Sequence, residues 1–309
     1  MKRKIILLTI AFSFLSVGLF FSYKAYKNYQ ALKILERRRE AWLDLEKKLR
    51  AKTLRFPGTA SIVIKDLDTG WEITQNDEIA VPSASLVKIP IMFSYFYANQ
   101  EGRISFKDTL ILKGSAKVAG SKVLGDFPAG SRFTVGELLV PMITQSDNSA
   151  TNLLIGFLGF DNLNAYFKKM GLKNTNLARK MLDFKERRRG RENYTTAQDM
   201  AFLLEKLYHK EFLNKEISEQ CLMLLGEQKI NDRIPKKLPK DGTFICHKTG
   251  LERHICHDVG IVYTRKGNFL ICVLVKHKDN TAGRAKKLIS DIALFTYNYY
   301  QNQSARAYN

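Results

Sequence analysis

Three short stretches of this 309-residue chain carry side chains of the kind that move acyl groups. The first reads Pro82-Ser83-Ala84-Ser85-Leu86-Val87-Lys88. Ser85 and Lys88 are three apart, which on a helix sets hydroxyl and amine on one face about a turn apart. An unprotonated amine there takes the hydroxyl proton and makes Ser85 a nucleophile, provided burial or a nearby cation lowers the pKa of Lys88. The second stretch, Gln145-Ser146-Asp147-Asn148, supplies another hydroxyl and a side-chain amide on a short loop. The third, His247-Lys248-Thr249-Gly250, ends a strand with a cation, a hydroxyl and a glycine that lets a ligand approach closely. From Ser85 to Ser146 is 61 residues, and from Ser146 to Lys248 another 102. Acyl transfer needs a nucleophile, a proton route and donors for a developing oxyanion, and a helix amino terminus beneath Ser85 offers an N–H and a favourable dipole. Two lysines sharing one groove would also depress each other's pKa.

The elements that must position these groups follow from periodicity. Thr59 to Lys65 and Trp71 to Thr74 read as strands around a turn at 66–70. Helical patterns cover 85–98, 135–144, 148–158, 163–170, 196–208 and 218–226. Strands return at 243–248, 258–264 and 269–276, and an amphipathic helix covers 284–299. This order predicts an α+β domain: one antiparallel five-stranded sheet built from both ends of the segment, with a helical block inserted in the middle.

Upstream, Met1-Lys2-Arg3-Lys4 precedes an apolar run from Ile5 to Tyr23 that carries no charge. The run is long enough to span a bilayer and lacks a small-residue cleavage site, so an uncleaved signal anchor is favoured over a signal peptide for residues 1–27. Residues 28–55 read as a charged helical stalk, 56–299 as the catalytic domain and 300–309 as a flexible tail. The net charge of +20 divides evenly: 14 basic and four acidic residues in 1–58 contribute +10, and the rest of the chain the other +10. Nucleic acid is excluded as a partner because export removes it and no recognition motif is present. The four cysteines, Cys221, Cys246, Cys256 and Cys272, show no C-x-x-C spacing, so neither a metal nor a cofactor is expected. Cys246 and Cys256 flank an expected turn around residue 251, which leaves both a cross-strand disulfide and buried free thiols open.

The three motifs, in this order and spacing, resemble those of the serine penicillin-recognising enzymes, most closely the class A β-lactamases. The resemblance runs from about Phe56 to Tyr299 and includes the Phe133–Leu139 segment and the Thr195-Thr196-Ala197 helix start. It implies that Ser85 is acylated with Lys88 as proton partner, and that Ser146 protonates the leaving nitrogen while Asn148 holds the substrate amide. Lys248 and Thr249 would bind the substrate carboxylate and tune Ser146, Gly250 would let the substrate approach, and the backbone N–H groups of Ser85 and Leu251 would form the oxyanion hole.

The sequence departs from this family in one place that matters. Class A β-lactamases carry a water-activating glutamate on the loop before the Thr-Thr segment, and counting from either flank puts it at 180–182, where Lys180, Met181 and Leu182 stand. Asp183 is the nearest acid and the candidate replacement; Glu186 and Glu192, set among arginines, read as surface ion pairs. The leading expectation is a β-lactamase opening β-lactams through acyl-Ser85. The alternatives are a D,D-peptidase or related cell-wall amidohydrolase acting on peptidoglycan stem peptides with slow β-lactam release, and a non-catalytic sensor of wall fragments. An exported, membrane-anchored protein with a monomeric catalytic domain outside the cytoplasm is expected in each case. His247 reads as a packing residue and Arg253 as an aid to carboxylate binding.

Overall fold

The computed structural model describes residues 2–302, with side chains described at Phe12 and from Leu15 onward. The chain begins with α1 (Lys2–Leu54), followed by β1 (Gly58–Asp66), β2 (Glu72–Gln75), the short β3 (Val81–Pro82) and a 3-10 turn, Ala84–Val87. Then come α2 (Lys88–Gln100), β4 (Thr109–Ile111), β5 (Arg132–Thr134), α3 (Val135–Thr144), α4 (Asn148–Leu158), α5 (Phe160–Lys169) and α6 (Phe184–Arg188). The rest is β6 (Tyr194–Thr195), α7 (Ala197–Tyr208), α8 (Lys215–Gly226), a 3-10 turn Ile234–Lys237, β7 (Thr243–Glu252), β8 (Ile255–Thr264), β9 (Phe269–His277) and α9 (Gly283–Gln301).

The main sheet has the order β2-β1-β9-β8-β7, antiparallel throughout, so the two ends of the domain meet where β1 pairs with β9. Helices cover both faces, and the inner strands therefore read as continuous apolar runs rather than alternating ones. Ile62, Ile64, Ile271, Val273 and Val275 point to the face covered by α1 and α9. Val63, Leu270, Cys272, Leu274 and Val259 point to the face covered by the helical block. Within the block, α3 starts at a capping box of Thr134 and Glu137, legible as Thr-x-x-Glu before an apolar run.

Three expectations change. Helix α1 runs unbroken to Leu54, and its last turns are not free of the domain: Trp42, Leu45 and Leu49 are buried, with the Trp42 ring 5.1 Å from that of Tyr299 on α9. Helix α9 reaches Gln301, and Tyr300 is buried against Phe269 with ring centroids 5.2 Å apart; only from residue 303 does the expected tail lie outside the described residues. The β7–β8 turn falls at Arg253–His254, so Cys246 pairs with Ile261 and Cys256 with Leu251. That register leaves Cys246 on one face of the sheet and Cys256 on the other, and all four cysteines are free and buried. Among the described residues no helix is long and apolar enough to cross a membrane, and the side chains of residues 5–11, 13 and 14 of the apolar run lie outside the described set.

Candidate active site

Ser85 sits on the 3-10 turn Ala84–Val87, one turn before α2, and not on the α-helix itself. In a 3-10 turn residues i and i+3 eclipse, which brings Ser85 and Lys88 to the same side more directly than an α-turn does. Ala84 immediately before it has φ 45°, a left-handed conformation that costs a residue with a Cβ about 1–2 kcal/mol. Ser146 has φ 59°. The residue before Ser85, and Ser146 itself, are thus both held in strained backbone by their surroundings.

The loop bearing Ser146 is fixed by Asp147, which is fully buried and caps α4 through the Ala150 N–H at 2.9 Å. Its other oxygen accepts from the Val123 and Leu124 N–H groups. Ser146 Oγ is placed between the two lysines, 3.1 Å from Lys88 Nζ and 3.0 Å from Lys248 Nζ. Lys88 Nζ also reaches Ser146 O at 2.7 Å and Asn148 Oδ1 at 2.8 Å. This leaves the Asn148 amide N–H₂ to face a ligand. Both lysines are completely buried.

Burial, then the charge of Lys248, push the pKa of Lys88 well below the ordinary lysine range against a small opposing pull from Asp147. Lys248 is pushed down to about 7, mainly by burial and further by Arg233, with Asp258 pulling the other way. Three contacts to acceptors suit an ammonium, yet the depressed pKa favours an amine. The two agree once Lys88 is neutral: the Ser146 hydroxyl then donates to Nζ while accepting from Lys248. That chain of amine, hydroxyl and ammonium can carry a proton to or from a bound substrate.

Strand β7 is the outer strand of the sheet and lies against the 84–87 turn. Gly250 makes that approach possible, since a Cβ there would meet Ser83 O and His257 Cβ at 3.3 Å. His257, opposite Gly250 on β8, is fully buried and accepts from the Val275 N–H at 3.1 Å through Nδ1. Its Nε2 therefore donates to Pro82 O at 2.9 Å and ties the sheet to the segment leading into Ser85. Burial lowers its pKa to about 4, which keeps that tautomer across physiological pH. His247, read as a packing residue, is buried between Asp258 Oδ1 at 2.9 Å and Asn231 Oδ1 at 3.1 Å.

Sequence reasoning missed Arg233, and sets His257 aside with the other histidines because lysine-based motifs require no histidine base. The buried cation acting on Lys248 is Arg233, which precedes the 3-10 turn Ile234–Lys237, while Arg253 stands on the β7–β8 turn. Neither belongs to a motif, and no local pattern marks either one. Asp147, in contrast, carries a visible N-cap signal directly before an apolar helical run.

The loop from Leu177 to Tyr194 holds the expected departure. Asn152 on α4 grips Met181 at both backbone groups, at 2.7 and 3.2 Å, and Met181 is buried. Asp183, the candidate base, spends its Oδ1 on the Glu186 N–H at 3.1 Å as the N-cap of α6. Glu192 departs from the expected surface ion pair: it is buried with Arg179 at 2.7 Å and shares a four-membered network with Arg187 and Glu252. Glu186 does make surface pairs, with Arg189 and Arg191.

A hydroxyl held between two depressed lysines, one of them three residues after a serine on a turn that packs against an edge strand, suits serine acyl transfer. The chain belongs to the beta-lactamase enzyme family, whose description it matches over residues 44–300. That match starts within the docked part of α1. The chain is 26% identical over 280 residues to beta-lactamase VEB-1 of Pseudomonas aeruginosa, covering 84% of this chain and 90% of that one. Among solved structures it is similar to PBP-A, at 28% identity and a TM-score of 0.77 over 84% of this chain and 96% of the other. A beta-lactamase from Sphaerobacter thermophilus DSM 20745 superposes with a TM-score of 0.75 at 28% identity, covering 82% of this chain and 96% of the other. The protein is a class A β-lactamase-like serine hydrolase.

Proposed function

We propose that the protein opens β-lactam amides through a covalent acyl-Ser85 intermediate, the observation that carries this being the Ser146 hydroxyl held between Lys88 and Lys248. Ser85 Oγ attacks the ring carbonyl and its proton passes to neutral Lys88. The oxyanion is received by the backbone N–H groups of Ser85 and Leu251. The C–N bond breaks as Ser146 gives its proton to the leaving nitrogen, and Lys88 returns a proton to Ser146. Asn148 holds the substrate amide, Lys248 and Thr249 take its carboxylate, and Gly250 leaves room for the approach. A mutant of the similar protein PBP-A is known as an acyl-enzyme complex with penicillin G.

A second reading concerns release. With no carboxylate at 180–182 and Asp183 engaged as a helix cap, the acyl enzyme has no evident base for its water. This favours a D,D-peptidase or related wall amidohydrolase that forms the adduct and loses it slowly. Nitrocefin separates the two: steady turnover supports the β-lactamase, and a stoichiometric burst with an adduct retained in intact-mass spectra supports the second reading. The expected adduct adds the mass of the opened lactam to the parent and is absent in Ser85→Ala. An equal adduct on Ser85→Ala sinks both, and binding without any adduct favours a non-catalytic sensor of wall fragments.

The exported, anchored placement belongs to the same proposal. The uncharged run Ile5–Tyr23 supports it, as do Phe12, Leu15, Leu19, Phe20 and Phe21, which α1 leaves exposed. Sedimentation with membranes, release by detergent and protease access from outside are expected; a chain recovered in the soluble fraction without detergent overturns it.

A further inference from the structure

Beyond the reacting centre, a cavity of about 540 Å³ opens between the loop and the β7–β8 turn, lined by Phe184, Arg187, Arg188, Arg253 and His254. Its charges do not cancel. Arg187 is taken up by Glu192 and Glu252, at 3.0 and 3.1 Å, but among the described residues no carboxylate pairs with Arg188 or Arg253, and both are exposed. His254, at φ 64° in the two-residue turn, keeps its Nδ1 buried without a hydrogen-bond partner. Phe184 adds an exposed ring as an apolar wall. The Arg179–Glu192–Arg187–Glu252 network fixes the loop to the end of β7, so the two walls of the cavity are held to each other.

Direction along β7 says which part of a substrate would arrive there. On the proposed roles, on which this inference rests, the substrate carboxylate lies at Lys248–Thr249 and the reacting carbonyl at Leu251. A strand rises about 3.3 Å per residue, so Arg253 stands roughly 7 Å beyond the carbonyl, on the acyl side and away from the first carboxylate. We infer that this cavity is an anion subsite, and that it selects acyl donors whose acyl-side substituent carries a second carboxylate close to an apolar group. The same chemistry occurs in a β-lactam with a carboxylated side chain and in a stem peptide with an acidic side chain before its terminal D-alanyl-D-alanine.

Equilibrium binding to Ser85→Ala reads the subsite without the covalent step. The probes are benzylpenicillin against its α-carboxy derivative carbenicillin, and acyl-D-alanyl-D-alanine peptides bearing a side-chain carboxylate against the carboxamide. The carboxylated member of at least one pair is expected to bind roughly tenfold tighter, the size of one charge-assisted hydrogen bond, and the pair that shows it identifies the source. In Arg188→Gln/Arg253→Gln on the same background the ratio should fall to about one. A merely structural role would weaken both members together and leave the ratio, which overturns the subsite. So does equal or absent binding to Ser85→Ala. Preference retained in a protein that forms no Ser85 adduct refutes the acyl-serine reading and keeps the subsite.

Discussion

The two faces of the central sheet solve opposite problems. The face under α1 and α9 is filled by aliphatic and aromatic side chains, and the charges it buries are held in opposite-sign pairs, such as Arg38–Asp66 and Lys52–Asp291, whose carboxylates are buried. The face toward the helical block buries two lysines against each other and a histidine, and holds a half-buried serine in strained backbone, where apolar groups would pack better. Burying a cation costs stability unless it is paired and hydrogen-bonded, and here the cost is met by lowering its affinity for a proton. The difference shows where stability is made and where it is given up for chemistry.

Four measurements would break or sharpen that contrast. Lys88→Met should cut acylation of Ser85 by about 10²–10⁴-fold, the usual worth of a general base, while raising the thermal midpoint, since a methionine of similar length removes a buried amine. A lower midpoint would show that Lys88 holds the fold as well as the proton. Trp42→Ala does the reverse: loss of a buried ring between Tyr299 and Trp71 should cost about 3 kcal/mol in denaturant unfolding and leave the acylation rate within about twofold. Coupled loss of acylation would join the two faces into one unit.

Titration separates the faces by pH. Lys248, with its pKa near 7, must be charged to hold a carboxylate, so kcat/KM should fall about tenfold per pH unit above roughly 7. Lys248→Arg, whose guanidinium stays charged, should move that limb upward, and an unmoved limb assigns it to another group. For stability the sign differs, because a lysine depressed in the folded state binds fewer protons there than when unfolded. Its penalty is full below about 7 and relieved as pH rises toward the ordinary lysine range. On the other face burial pushes the Asp291 carboxyl up, but hydrogen bonds from Lys237, Lys52 and Lys287 outweigh this and hold it well below the usual range. Its contribution is therefore complete above the ordinary aspartate pKa and lost as pH falls below it.

The smallest effect is expected at Asp183. Asparagine caps a helix about as well as aspartate, so Asp183→Asn should keep α6 and change acyl release less than about twofold, measured after excess β-lactam is removed. A tenfold slowing would instead make Asp183 the water-activating base.

Much of this was legible in the chain. The strands at both ends and the helical middle appear in the sequence pattern because the helices bury a periodic face and the inner strands are continuous apolar runs, and the five-stranded sheet agrees with it. The β7–β8 turn falls two residues beyond the expected position, at Arg253–His254, because strand pairing continues to Glu252–Ile255, and Gly250 within the strand admits Ser83 O and His257 beside it. The docking of α1 was obscured because Trp42, Leu45 and Leu49 fit a free amphipathic stalk as well as a packed one.

What the sequence determined by itself is the inventory: two serines, two lysines and an amide at spacings that suit acyl transfer, and a loop with no carboxylate at 180–182. What only the tertiary structure decided is their coupling. Ser146 lies between lysines 58 and 102 residues away in the chain, burial depresses Lys248 with Arg233 adding to it, and His257 holds Pro82 through a tautomer fixed by Val275. Proton affinities depend on burial and on neighbours brought in by sheet topology, and neither is a property of a residue's place along the chain.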